Sequence, residues 1–143
     1  MRKTLFGLLC MALFSLGACK QKSAENPQPI VPDMHTAETS LDYPGVYEGV
    51  IPAASGPGIK ITLTLNKDKT YEMVSDYIGE KNSIFTDKGN YEIDGNIITL
   101  NMKDDAPRYL KVEEGRVRML DADKQVVKGA LENDYILKQE KVF

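Results

Sequence analysis

The chain has 143 residues, 42% of them hydrophobic and 27% charged, with a formal net charge of −3, which allows one domain of ordinary size. A mildly acidic balance with scattered lysines excludes a nucleic-acid footprint and a polybasic membrane patch. One histidine and two cysteines leave little material for nucleophilic catalysis.

Met1-Arg2-Lys3 is a short basic segment, followed by an apolar run from Thr4 to Ser15 and then Leu16-Gly17-Ala18-Cys19. That order is a secretory signal with small residues at its end; a spanning helix needs about 20 apolar residues. The last four residues resemble a bacterial lipobox. The resemblance implies that Cys19 carries a diacylglyceryl thioether, that residues 1–18 are removed, and that the new N-terminus is acylated with a palmitate-like chain. One acyl chain anchors marginally, while further chains add about 0.8 kcal/mol per buried CH₂. Lys20, not aspartate, follows the cysteine, which by analogy with lipoprotein sorting implies the outer membrane.

Cys10 leaves with the signal and Cys19 is consumed by lipid, so the mature chain has neither a free thiol nor a disulfide. Arg2 and Lys3 are lost with the signal, and no acid is. The mature balance is then 16 basic against 21 acidic residues, or −5. Residues 19–41 include the proline-bearing stretch KQKSAENPQPIVPDMHTAETS and read as a tether of roughly 25 Å mean span.

Residues 42–143 form the folded domain, and period two dominates them. Gly45–Ile51 opens as a strand. Ile59, Ile61, Leu63 and Leu65 then alternate with Lys60, Thr62 and Thr64, a strand with one wet face. Tyr71, Met73, Ser75 and Tyr77 share a face of Thr70–Ile78. Tyr91 and Ile93 follow, then Ile98, Leu100 and Met102, Leu110 and Val112, Val117 and Met119, and finally Tyr135 and Leu137. Asn66–Lys69, Asp94–Asn96, Glu114-Gly115 and Asp121–Lys124 have hairpin-turn composition. Residues 81–86 carry no clear period, and residues 126–132 allow a short helical turn. About eight antiparallel strands in succession predict an all-β fold, a small up-and-down barrel whose closure removes exposed edges. A two-layer sandwich is the alternative.

From Tyr43 to about Lys141 the chain resembles the N-terminal domain of the copper-resistance lipoprotein NlpE, a lipocalin-like barrel. The likeness is carried by GVIP at 49–52, GIKITLTL at 58–65, NKDKTYEM at 66–73, GNYEI at 89–93, IITL at 97–100, MLD at 119–121 and DYIL at 134–137. Members with the copper name carry Cys-x-x-Cys in the loop after the first strand. Here that window is Ala53-Ala54-Ser55-Gly56, without thiols. Cu(I) prefers soft thiolate or thioether ligands, so the expectation is a barrel with no thiol copper site and no cofactor beyond the lipid.

Other candidates are weighed against plainer readings. Met73, Met102 and Met119 fall on apolar phases and read as core, where thioethers fill irregular gaps. Met34 and His35 in the tether are the remaining soft-ligand candidates. Tyr47, Tyr71, Tyr77, Tyr91 and Tyr135 lie on or near inward phases and either close the core or line a pocket. Asp104-Asp105 and Glu113-Glu114 read as turn carboxylates, and no motif supports an enzyme. What the resemblance implies is an envelope interaction or sensor module, linked to stress response and copper homeostasis. Its partners would be the membrane and a periplasmic signalling or envelope protein. The alternative is a carrier of a small amphiphile.

Overall fold

The structure, a computed structural model, describes residue 37, residue 39 and residues 42–143. Cys19, Met34 and His35, with the signal, lie outside the described residues. Eight antiparallel strands follow one another: β1 Gly45–Ile51, β2 Ile59–Leu65, β3 Thr70–Tyr77, β4 Ile84–Asp94, β5 Ile97–Leu100, β6 Arg108–Glu113, β7 Arg116–Met119 and β8 Ile136–Val142. Each pairs with the next and β8 returns to β1, which closes a barrel. The up-and-down topology is the one the alternation predicts, and the sandwich is excluded.

Alternation builds the interior directly. In β2, Ile61, Leu63 and Leu65 are at most 1% exposed, while Lys60 faces solvent and Thr62 and Thr64 between them are half-buried. Tyr47, Met73, Ile98, Leu100, Leu110, Val117 and Leu137 join them from the other strands. No buried side-chain nitrogen or oxygen among the described residues lacks a partner. Such burial is worth about 1.5–3 kcal/mol per large aliphatic side chain before entropy is charged against it.

The two barrel ends differ. The near end, where the chain enters β1, carries the tight turns 66–69, 95–96 and 114–115. The far end carries the longer connections 52–58, 78–83, 101–107 and 120–135.

Three local differences from the sequence pattern have physical causes. β4 starts at Ile84, inside the stretch without a clear period, because pairing with β3 through Asp76↔Ile84 and Ser75↔Phe85 imposes the strand on adjacent apolar residues. Met102 falls beyond β5 and packs partly buried against the core. The helical turn is 3-10 and spans Glu132–Tyr135, sharing Glu132 alone with the expected stretch, so Tyr135 ends that turn and does not open a strand.

Closure depends on how closely β8 crosses β1. A Cβ on Gly45 would lie 2.0 Å from the Lys141 carbonyl oxygen, and one on Gly49 would lie 2.5 Å from that of Ile136 and 2.8 Å from Leu137 Cδ2. The register shifts between Val46 and Tyr47, as a bulge that bends the strand would require. Gly49→Val should therefore destabilise the barrel by about 1–3 kcal/mol, as overpacking does, measured by urea denaturation. Val50→Ala on the outer face is the control, and equal loss from both substitutions contradicts the closure argument.

Candidate functional site

The near end opens into a pocket of about 480 Å³. Its lining comes from Tyr43 ahead of β1, Tyr47 in β1, Val112 and Glu113 in β6, the turn residues Asn96, Glu114 and Gly115, and Gln139 in β8, with Ala37 and Asp42 at the rim. The Tyr47 hydroxyl donates to the Tyr43 carbonyl. Gln139 Nε2 donates to that hydroxyl at 3.1 Å and to the Asp42 carbonyl at 2.8 Å. The Ala37 N–H donates to Asn96 Oδ1 at 2.6 Å, so part of the chain ahead of the barrel is seated on the same mouth.

Aromatic rings seal the mouth from below. Tyr43 and Tyr91 meet edge to face at 6.3 Å, and the Tyr91 hydroxyl donates to the Asn66 carbonyl at 2.7 Å. Lys69 Nζ lies 5.1 Å from the Tyr43 ring and 5.5 Å from the Tyr91 ring and donates to the Tyr43 hydroxyl. Lys69 adopts φ +67° in the β2–β3 turn. That left-handed conformation usually selects Gly or Asn, so a lysine here trades backbone ease for a cation over two rings.

Burial pushes the Tyr47 phenol up to about 12, with the neighbouring Tyr43 adding to the rise. Tyr91 is raised further, by burial first and then by the Tyr43 hydrogen bond. Burial also raises Tyr71, which the Asp87 charge reinforces and Arg108 opposes. Glu113 behaves oppositely: burial disfavours its charge, yet the hydrogen bonds and charges of Arg118 and Arg116 outweigh burial and hold it below the usual range. Arg116 Nε lies 2.7 Å and Arg118 Nε 3.1 Å from its two oxygens. The pocket's acidic rim is thus partly neutralised.

At the far end, Pro52–Gly58 connects β1 to β2. Ala53 is half-buried, and Ala54, Ser55 and Gly56 are exposed. Gly58 sits at φ +139°, and a Cβ there would meet Val50 Cγ1 at 2.8 Å. Its carbonyl accepts from the Ile78 N–H at 3.1 Å. The loop is therefore shaped by close backbone packing, with no soft ligand in it. Among the described residues there is no cluster of three His, Cys, Asp or Glu that could hold a metal.

The structure separates the residues grouped by sequence. Tyr47 alone of the five tyrosines lines the near-end pocket. Tyr71, Met73 and Tyr91 are core, at most 2% exposed. Tyr77 is half-buried and stacks edge-on against Phe85 at 5.7 Å. Met102 Sδ accepts from the Tyr71 hydroxyl at 3.1 Å. Met119 borders a second depression of about 270 Å³ beside Arg108 and Tyr109, and Tyr135 packs partly buried on the core. Tyr43, Gln139 and Lys69 were not legible as site residues. Gln139 repeats the inward phase of Leu137, which is the one signal that could have found it.

The sequence profile of the NlpE N-terminal domain matches residues 47–130. The crystal structure of a candidate lipoprotein from Shewanella oneidensis is similar, with a TM-score of 0.66 at 41% identity, covering 74% of this chain and 96% of that one. The crystal structure of the Cpx pathway activator NlpE from Escherichia coli is similar at a TM-score of 0.55 and 27% identity, covering 60% of this chain and 46% of that one. This chain thus matches about half the length of the latter protein. No curated protein matches.

The raised phenols predict alkaline lability with a defined sign. In the unfolded chain a tyrosine ionises near 10.0, whereas folded Tyr47 holds its proton to about 12. Stability from these phenols is complete below pH 10 and is lost as pH rises toward 12. The share of phenolate absorbance due to Tyr47, Tyr71 and Tyr91 should lag behind that of urea-denatured protein and arrive together with loss of the β circular-dichroism signal. All seven tyrosines ionising at the denatured-chain pH in a still-folded barrel would contradict this.

Proposed function

The chain belongs to the NlpE N-terminal-domain family, and from that membership we propose that it is a lipid-anchored envelope lipoprotein whose barrel acts as an interaction and sensor module. One observation carries the reading. Apart from the near-end pocket, the barrel interior is occupied by packed side chains, while Val50, Ile78, Ile84 and Phe85 are 38–65% exposed at the far end around the 52–58 loop. A filled interior with outward apolar side chains suits protein contact better than carriage. In this reading Cys19 holds the protein in the outer membrane, residues 19–41 are the tether, and the far end meets a periplasmic signalling protein. The E. coli relative's description as a pathway activator supports a role in envelope stress response.

The copper link of the name does not carry over to a thiol site here, because residues 42–143 contain neither cysteine nor histidine. The same absence supports a non-enzymatic reading, since a nucleophile needs a base in reach. A carrier of a small amphiphile is the second reading. It is favoured by the near-end pocket with Tyr43 and Tyr47 in its lining, and native mass spectrometry of protein extracted in mild detergent tests it through a co-purifying ligand.

Three outcomes are expected. Cys19→Ala should move the protein from the membrane to the periplasmic fraction, and unchanged sedimentation with membranes removes the anchor. Overproduction of the wild type should induce an envelope-stress reporter, and no induction removes the sensor role. Competitive titration should find no tight Cu(I) site in the protein, and a one-to-one site that withstands strong chelators restores a copper function through other ligands.

A further inference from the structure

The barrel closes unevenly. β4 has eleven residues and β5 only four. β3 pairs with β4 from Ile84 to Asn90, whereas β5 meets it from Tyr91 to Asp94. The ladder phase identifies the groups left over. Tyr77 N–H donates to the Ser83 carbonyl and Tyr91 N–H to the Lys69 carbonyl, so odd-numbered residues of β4 turn their peptide groups toward β3. Even-numbered residues turn them away, as the Asn90 carbonyl does in accepting from Asn101 N–H. Ile84, Thr86 and Lys88, all exposed, therefore present N–H and C=O groups on an edge that no described strand covers.

An unpaired ladder specifies extended backbone as its complement, and the side chains specify more. Phe85 and Asp87 lie on the inward phase, opposite Ser75 and Met73 of β3. Phe85 is 56% exposed. Asp87 is half-buried and makes no salt bridge among the described residues, since neighbouring Lys88 is held by Glu72 and Arg108 by Asp105. In an added antiparallel ladder, 85 and 87 become non-hydrogen-bonded positions, where facing side chains approach most closely. A lone inward carboxylate deters indiscriminate strands and rewards a cation.

We propose that the free edge Ile84–Lys88 of β4 docks a strand from a protein partner, an antiparallel segment of the form basic-x-apolar, with the basic residue opposite Asp87 and the apolar one opposite Phe85. This deepens the interaction-module reading and rests on it. Two of the registers open to a second copy of the chain fit poorly. Two-fold pairing centred on Thr86 sets Asp87 against the ring of Phe85, and pairing centred on Asp87 opposes two carboxylates.

The probe is a synthetic peptide, Thr-Lys-Thr-Val-Thr, titrated into the full chain in detergent micelles and followed by amide NMR shifts. Shifts should centre on residues 84–88. A peptide with Glu in place of Lys should bind about fivefold more weakly or worse, and Asp87→Lys should reverse that preference. Thr86→Pro, which removes an edge N–H and leaves the β3 ladder intact, should abolish binding. N-methylation of the central peptide threonine removes a bond of the same ladder on unaltered protein. The proposal is overturned by no binding, by equal binding of the Lys and Glu peptides, or by binding indifferent to N-methylation. It is also overturned if sedimentation shows a dimer that Thr86→Pro dissolves, since the edge then belongs to a second copy. Reporter induction without peptide binding removes this edge and keeps the sensor role; peptide binding without induction keeps the edge and removes the signalling role.

Discussion

Everything in this barrel depends on β8 lying close enough to β1 to complete the ring. Gly45 and Gly49 permit that approach, because carbonyl oxygens of β8 occupy the space a side chain would need. Once the seam is shut, the inward phase of every strand faces a common interior, and ten large side chains fall below 2% exposure. With no disulfide among residues 42–143, which contain no cysteine, packing and hydrogen bonding hold the domain. A single methyl group at either glycine thus acts on the whole core, not on one contact.

The closed seam also explains why the two ends diverge. At the near end the tight turns bring Tyr43, Tyr47 and Tyr91 together, and their hydroxyls need partners once buried. Gln139, the Tyr43 and Asn66 carbonyls and Lys69 supply them. The result is a hydrogen-bonded plug under a shallow mouth. Longer connections at the far end leave apolar side chains in solvent, and loops of that kind are where binding functions concentrate.

Strand order, the bounds of the first strands and the tight turns were readable because alternation and turn composition agree: β1 and β2 match the expected Gly45–Ile51 and Ile59–Leu65, whereas β4 and β8 run several residues beyond their alternating cores. What escaped reading depends on neighbours distant in sequence. Ile84 and Phe85 are consecutive apolar residues without period, and pairing with β3 makes them strand. Arg118 alternates outward from Val117 as a wet-face residue would, yet it is 8% exposed. Its guanidinium reaches Glu113 and the Glu132 carbonyl, a contact that needs residues 120–135 folded back over β7. Tyr43 lies ahead of any alternating segment, so nothing local marked it as core.

The β4 edge shows how a closed fold can keep one open feature. Closure is the usual defence against strand addition, and here it is complete at β1–β8, but β5 covers its side of β4 only from Tyr91 onward, with Asn101 reaching Asn90. An unguarded edge bearing Ile84 and Phe85 would invite aggregation. Asp87 changes that balance, because burying a carboxylate under a neutral strand is unfavourable, while a cation in the facing position removes the penalty. Selectivity then comes from repulsion of wrong strands as much as from attraction to the right one. What the β4 edge offers is backbone hydrogen bonding, apolar surface and the Asp87 carboxylate, a chemistry suited to recognising peptide.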